Sequence, residues 1–309
     1  MKKLIGLLRL ARPANIVTAI SDILAGVAIA FYALPAAGAI TLAMFGRYEW
    51  LLPVLLLVVA TKGLYGGGVV MNDVFDAELD AVERPERPIP SGLISKGAAS
   101  AWGMGLLLVG IVAAGFVHWP QFFSLSFWLA LATAGAALLY DGWGKHQDIF
   151  GPVNMGLCRG LNLLLGMSLV PEAVLHYWYL ALVPIVFIAA ITMISRGEVH
   201  GGKASTLKWA ALLYVLVMAA IAIHSWINDT LVATSIFLVL FGIMNAVPLF
   251  RANANPTGPN IGKAVKAGVL SLILMNAAWA AAFGAPQLAV GMVLLLPLSL
   301  FLAKAFAVT

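Results

Sequence analysis

Six of the chain's 13 acidic residues fall between Asn72 and Gly92, in the run N-D-V-F-D-A-E-L-D-A-V-E-R-P-E-R-P-I-P-S-G. If a helix continues through Asp80, a turn of roughly 100° per residue sets Asn72, Asp76, Asp80 and Asp73 at roughly 0, 40, 80 and 100°. The four oxygen-bearing side chains then share one face, and Glu78 points elsewhere. Hard oxygen ligands so placed suit magnesium, which keeps some of its waters and bridges to phosphate oxygens. Pro85, Pro88 and Pro90 end the helix, and Arg84 and Arg87 bring cations to the same edge. Acids for a metal with cations beside them make a diphosphate site. The same residues would also serve as an acidic helix end tied up in surface ion pairs.

The elements that must hold this segment are membrane helices. Of 309 residues, 62% are hydrophobic and 10% charged, with a mean hydropathy of +0.99. A soluble domain carries about 25% charged residues, so this chain could not cover a water-facing surface. Apolar runs long enough to cross a hydrocarbon core of roughly 30 Å lie near 14–34, 51–72, 98–117, 122–140, 153–171, 177–194, 206–226, 230–249, 264–283 and 287–306. Only Gly284, Ala285 and Pro286 separate the last two, which leaves nine or ten spans. The expectation is all-α: one polytopic helical bundle over residues 1–309. Frequent Gly and Ala suit helices that pack by close contact in lipid. Met1 to Arg12 resembles the charged region of a signal peptide, but the many spans that follow favour a retained first helix. The single cysteine, Cys158, excludes an intrachain disulfide.

Charge gives the orientation. Lys2, Lys3, Arg9 and Arg12 precede the first span. Arg84, Arg87 and Lys96 follow the second, Lys145 the fourth, Arg196 and Lys203 the sixth, and Arg251 and Lys263 the eighth. The opposite loops offer little beyond Arg47. By the positive-inside rule the N-terminus and the loops after even-numbered spans are cytoplasmic, and the basic balance needs no nucleic-acid partner. That rule leaves the acids unexplained: Asp73, Asp76, Glu78, Asp80, Glu83, Glu86, Asp141, Asp148 and Glu198 crowd the same loops.

The pattern Asn72-Asp73-x-x-Asp76-x-x-x-Asp80, then Arg84 and Arg87-Pro88-Ile89-Pro90-Ser91-Gly92, resembles the first aspartate motif of the UbiA superfamily of intramembrane prenyltransferases. Arg12-Pro13-Ala14-Asn15 is similar to that family's N-terminal pattern, and within the family the chain looks most like the EboC-like branch. The resemblance implies a bundle around a central cavity, capped where magnesium holds a prenyl diphosphate. The prenyl group would pass to a hydrophobic acceptor, aromatic or lipid-like, within the membrane lipid. Asp73, Asp76 and Lys145 would then be catalytic. Arg84, Arg87, Tyr140, Lys145, Arg159 and Arg196 would bind the diphosphate, Asn72, Asp73, Asp76, Asp80 and Glu198 the metal, and Asn15 and Asp22 would face the acceptor cavity.

Two loops test the likeness. In Tyr140-Asp141-Gly142-Trp143-Gly144-Lys145-His146-Gln147-Asp148, Tyr140 and Lys145 resemble a family pair at a spacing one residue longer than its pattern. Lys145 is a compact charge suited to a phosphate oxygen; it would equally serve a solvated turn. Where the family has a second aspartate motif, Ser195-Arg196-Gly197-Glu198-Val199-His200-Gly201-Gly202 has no aspartate. Glu198 could act alone, His200 could replace a carboxylate, Asp141 or Asp148 could supply ligands, or Arg196 could bind phosphate directly. An altered member that binds or transports a lipid is the alternative function. A lipid head-group phosphotransferase would need an aspartate pattern that Asp141-Gly142 does not begin.

Asp22, Lys62 and Arg159 fall at membrane depth, where ionisable groups face a cavity or a partner. Asp22 and Lys62 are expected to pair across the first two helices, or else to line the cavity. Arg159 reads equally as a snorkelling anchor or a diphosphate ligand.

Overall fold

The computed structural model describes residues 2–34, 48–198 and 201–306. Arg47 and His200 lie outside the described residues. Every regular element among them is helical: α1 Lys2–Ala11, α2 Pro13–Tyr32, α3 Tyr48–Phe75, α4 Ala77–Glu83, α5 Lys96–Gly115, α6 Leu125–Gly142, α7 Phe150–Met167, α8 Pro171–Tyr177, α9 Leu182–Ser195, α10 Ala204–Ile227, α11 Leu231–Ala254, α12 Gly258–Ala282, α13 Pro286–Val293 and α14 Leu295–Ala305, with short 3-10 turns at Gly144–His146 and Trp178–Ala181.

Among the described residues, nine helical stretches are long and apolar enough to cross a membrane, α8–α9 and α13–α14 each forming one of them. The tenth expected span is α7. Its 18 residues reach about 27 Å at 1.5 Å per residue, and it buries Asn154, Arg159 and Asn162 as well as leucines. These polar groups lower its apolar character because it runs through the interior. The chain is thus an integral, multi-pass membrane protein. Its outer surface is apolar, as lipid demands: Val232, Phe250, Ile227 and Trp226 are among the most exposed side chains.

Helices α2, α7 and α12 form the centre. A Cβ added at Gly26 would stand 2.4 Å from the Leu163 carbonyl oxygen, and one at Gly166 would stand 2.5 Å from that of Ile23. Backbones of α2 and α7 therefore touch, as small residues permit in lipid. This contact brings side chains of both helices within hydrogen-bonding range.

The helix expected to run through Asp80 is interrupted. α3 stops at Phe75, Asp76 takes φ −85°, ψ 1°, and α4 begins at Ala77. This bridge-region backbone bends the chain without losing its bonds, since Asp76 N–H still donates to Asn72 O and Asp80 N–H to Asp76 O. The proline-rich turn after Glu83 then folds Arg87 back towards both helices.

Gly166→Val should lower the thermal midpoint of the detergent-purified protein, because overpacking costs about 1–3 kcal/mol. Gly135→Ala, with open space around its Cβ position, should leave the midpoint unchanged. Wild-type melting of Gly166→Val would contradict the backbone contact.

Candidate active site

The acidic motif meets three cations from three different segments. Arg12 sits at the junction of α1 and α2 with φ 47°, a left-handed conformation that costs a non-glycine residue of order 1–3 kcal/mol. Its Nη2 donates to Asp73 Oδ1 at 2.6 Å. From the proline turn, Arg87 Nη1 donates to Asp80 Oδ2 at 2.6 Å and lies 3.5 Å from Asp73 Oδ1. From the 3-10 turn after α6, Lys145 Nζ pairs with Asp76. A fourth carboxylate joins from α6, where Asp141 Oδ1 accepts from Asn72 Nδ2 at 3.0 Å. Asp141 lies within electrostatic reach of Lys145, Asp76 and Asp73.

Four carboxylates therefore face three cations, and two carboxylate oxygens are left over. Asp73 Oδ2 and Asp141 Oδ2 are buried without a hydrogen-bond partner among the described residues. The acids do not form a ready-made metal cage: among those residues, no three His, Cys, Asp or Glu side chains converge as a ligand group. The bend at Asp76 and the interposed cations account for this departure from the single face expected of Asn72, Asp73, Asp76 and Asp80. An all-oxygen donor set with unpaired buried oxygens, in which carboxylates outnumber cations, nevertheless fits a hard divalent cation.

Beneath this rim is a cavity of about 370 Å³. Its upper wall includes Arg12, Asn72, Tyr140, Asp141 and Glu198, and below them Leu64, Ile188, Ile191, Val265 and Val269 alternate with a few polar side chains. Glu198 is half-buried; burial raises its carboxyl above the ordinary range, and nearby Arg84 opposes the shift. Thus the loop without aspartate still brings one carboxylate to the cavity. Asp148 does not reach it: its side chain is 97% exposed and accepts from Arg196 Nη1 at 2.9 Å. Arg196 also donates to Gln147 O at 2.7 Å, so it braces the neighbouring loop.

The expected pairing of Asp22 with Lys62 is overturned. Lys62 is exposed, whereas Asp22 Oδ2 accepts from Arg159 Nη1 at 2.8 Å and Asn162 Nδ2 at 3.0 Å. Asp22 Oδ1 accepts from Asn276 Nδ2 at 2.7 Å. Fully buried, Asp22 stands behind the cavity wall. Asn15 is also absent from the lining; its carbonyl caps Thr18. Nor is Arg159 a snorkelling anchor: it is 5% exposed, donates to Thr18 Oγ1 at 2.7 Å, and lies 4.8 Å from the Tyr65 ring centroid. It does line the cavity, with Thr61, Tyr65 and Asn162. Those three were missed in the sequence, although a polar residue within an apolar run was the available signal.

Fold and site together define a polytopic helical membrane protein with an acid-and-cation rim over an apolar cavity. The chain matches the UbiA prenyltransferase family over residues 32–258, and it belongs to that family. It is 32% identical over 190 residues to a protein named digeranylgeranylglyceryl phosphate synthase from Methanoregula boonei, covering 62% of this chain and 58% of that one. The protein of the same name from Methanopyrus kandleri is 31% identical over 67% of this chain and 69% of its own length. With the Methanothrix thermoacetophila protein at 53% of its length, the chain spans little more than half of some curated relatives it matches. Among solved structures, the apo UbiA homolog from Aeropyrum pernix K1 superposes with a TM-score of 0.64 at 13% identity, covering 90% of this chain and 96% of that one. The homolog from Archaeoglobus fulgidus bound to GPP and Mg2+ gives 0.60 at 14% identity, covering 88% and 99%. These likenesses show a shared fold.

Removing Arg159 would leave buried Asp22 without its cation, held only by the amides of Asn162 and Asn276. Arg159→Met should cost about 3–5 kcal/mol, and adding Asp22→Leu should recover part of it, read as thermal midpoints in detergent. A double variant no more stable than the single one would contradict the pair.

Proposed function

We propose that the protein transfers a prenyl group from a prenyl diphosphate to a hydrophobic acceptor within the membrane, with magnesium bound at the acidic rim. The observation that carries this reading is the rim itself: four carboxylates and three cations, with two buried carboxylate oxygens unpaired, over an apolar cavity. The match to the UbiA prenyltransferase family, the relatives named digeranylgeranylglyceryl phosphate synthase, and the homolog bound to GPP and Mg2+ support it. Placement in the EboC-like branch belongs to the same proposal, as does a cytoplasmic position for the rim, which rests on the basic loops around it.

Arg12, Arg87 and Lys145 are the diphosphate ligands of this reading, with Arg84 beside Glu198 at the mouth. Each is now held by a carboxylate, so an arriving diphosphate would exchange one set of anions for another. That exchange would free Asp73, Asp80 and Asp76 to hold magnesium together with Asp141, whose bond from Asn72 it leaves in place, with Asn72 and Glu198 at the edge. When bound, the metal supplies positive charge that makes diphosphate a better leaving group. The low-water cavity holds the prenyl tail and protects an allylic cation from water. Tyr140 on the upper wall orients the diphosphate end. Arg159, paired with Asp22 and bonded to Thr18, is assigned to holding the wall below.

In purified protein with magnesium and geranyl diphosphate, Asp76→Ala should reduce diphosphate release at least about a hundredfold, on the scale of losing a key electrostatic group. Excess chelator should do the same to wild type. Full turnover in either case would overturn the metal assignment, and a wild-type protein that binds geranyl diphosphate without ever releasing diphosphate would favour a lipid-binding role.

A further inference from the structure

Deep in the cavity, two polar atoms have no partner. Thr61 Oγ1 and Asn162 Oδ1 are buried without a hydrogen bond among the described residues, and both residues line the cavity. Thr61 is 1% exposed and Asn162 4%. Thr61 lies eleven residues before Asn72 on α3, about 16 Å along the axis at 1.5 Å per residue. Asn162 is one turn deeper on α7 than Arg159, which packs on Tyr65, itself one turn above Thr61. The two orphaned atoms thus belong to the cavity's floor, well below the acidic rim.

The orientation of Asn162 is fixed. Its Nδ2 donates to Asp22 Oδ2 at 3.0 Å and to Ala19 O at 2.9 Å. Turning the amide over would aim its oxygen at two acceptors, so Oδ1 must remain the group left free. It can only accept. Thr61 Oγ1 can accept and also donate. A hydrocarbon tail at this depth would leave both oxygens unpaired. A carboxylate or phosphate would bring a negative charge where the nearby cation, Arg159, is already matched by Asp22. A neutral hydroxyl answers both requirements, donating to Asn162 Oδ1 and accepting from Thr61 Oγ1–H.

We infer that Thr61 and Asn162 form a subsite for a neutral hydroxyl group of the acceptor at the cavity floor. This deepens the prenyl-transfer reading, on which it rests for the word acceptor. An acceptor anchored by its hydroxyl would present its other end upward, towards the prenyl diphosphate. Selection follows from the unpaired atoms, since a site built for a hydroxyl rejects the analogue lacking one.

The test uses the full chain in lipid nanodiscs and two probes that differ by one hydroxyl, 2-naphthol and naphthalene, in equilibrium dialysis corrected with empty discs. Wild type should bind naphthol about tenfold more tightly than naphthalene, the scale of one good hydrogen bond. Thr61→Val, which keeps the shape and breaks no other bond in the structure, should reduce that preference about threefold, since the hydroxyl can still donate to Asn162 Oδ1; Thr61→Ser should keep it in full. Absence of saturable naphthol binding, equal affinity for both probes, or a preference unchanged in Thr61→Val would overturn the subsite. Magnesium-dependent binding of geranyl diphosphate is measured in the same discs without either probe. Should it fail while the naphthol preference holds, the transfer reading falls and the hydroxyl site stands.

Discussion

A charged side chain inside a bilayer must have a partner, and this constraint shapes the structure at two depths. In the lower layer, Asp22 receives Arg159, Asn162 and Asn276, so one carboxylate ties α2 to α7 and α12. Such a pair adds little net stability, because desolvation offsets much of the attraction. Its larger effect is to fix geometry. The glycine contact between α2 and α7 brings Asp22 and Arg159 together, and their bonds hold Asn162 with its oxygen towards the cavity.

The upper layer obeys the same constraint incompletely. Arg12, Arg87 and Lys145 answer Asp73, Asp80 and Asp76, while Asp141 has an amide for a partner. Carboxylates outnumber cations, and two buried oxygens remain unpaired. The lower layer is closed and structural, whereas the upper is open to a further cation and to an anion that would compete for the arginines. The strained backbone at Arg12 belongs to that open layer, where it aims a guanidinium at the first aspartate of the motif.

Much of this was legible in the sequence. Among the described residues, nine of the ten apolar runs became helices long and apolar enough to cross a membrane, and the tenth became the more polar interior helix α7, because lipid imposes a length and a polarity that single residues report. The acidic rim was legible for a related reason: orientation explained the basic loops and left the carboxylates without a purpose. What could not be read was partnership. Asp22 had Lys62 one helix away in sequence, yet its partner lies 137 residues on, chosen by a backbone contact that periodicity does not encode. The bend at Asp76 was hidden as well, since Asn72 to Asp80 continues a helical spacing and the proline turn that pulls Arg87 back acts through tertiary contact. Thr61 and Asn162 had only their polarity to mark them among aliphatic neighbours.

An exchange of partners at the rim would be visible in a structure with manganese and a non-hydrolysable geranyl diphosphate analogue. The expected result is an anomalous peak bonded to Asp73 or Asp141, with Arg12, Arg87 and Lys145 turned from their carboxylates to phosphate oxygens. A metal bound away from both aspartates, or an analogue held while all three ion pairs stay intact, would contradict it.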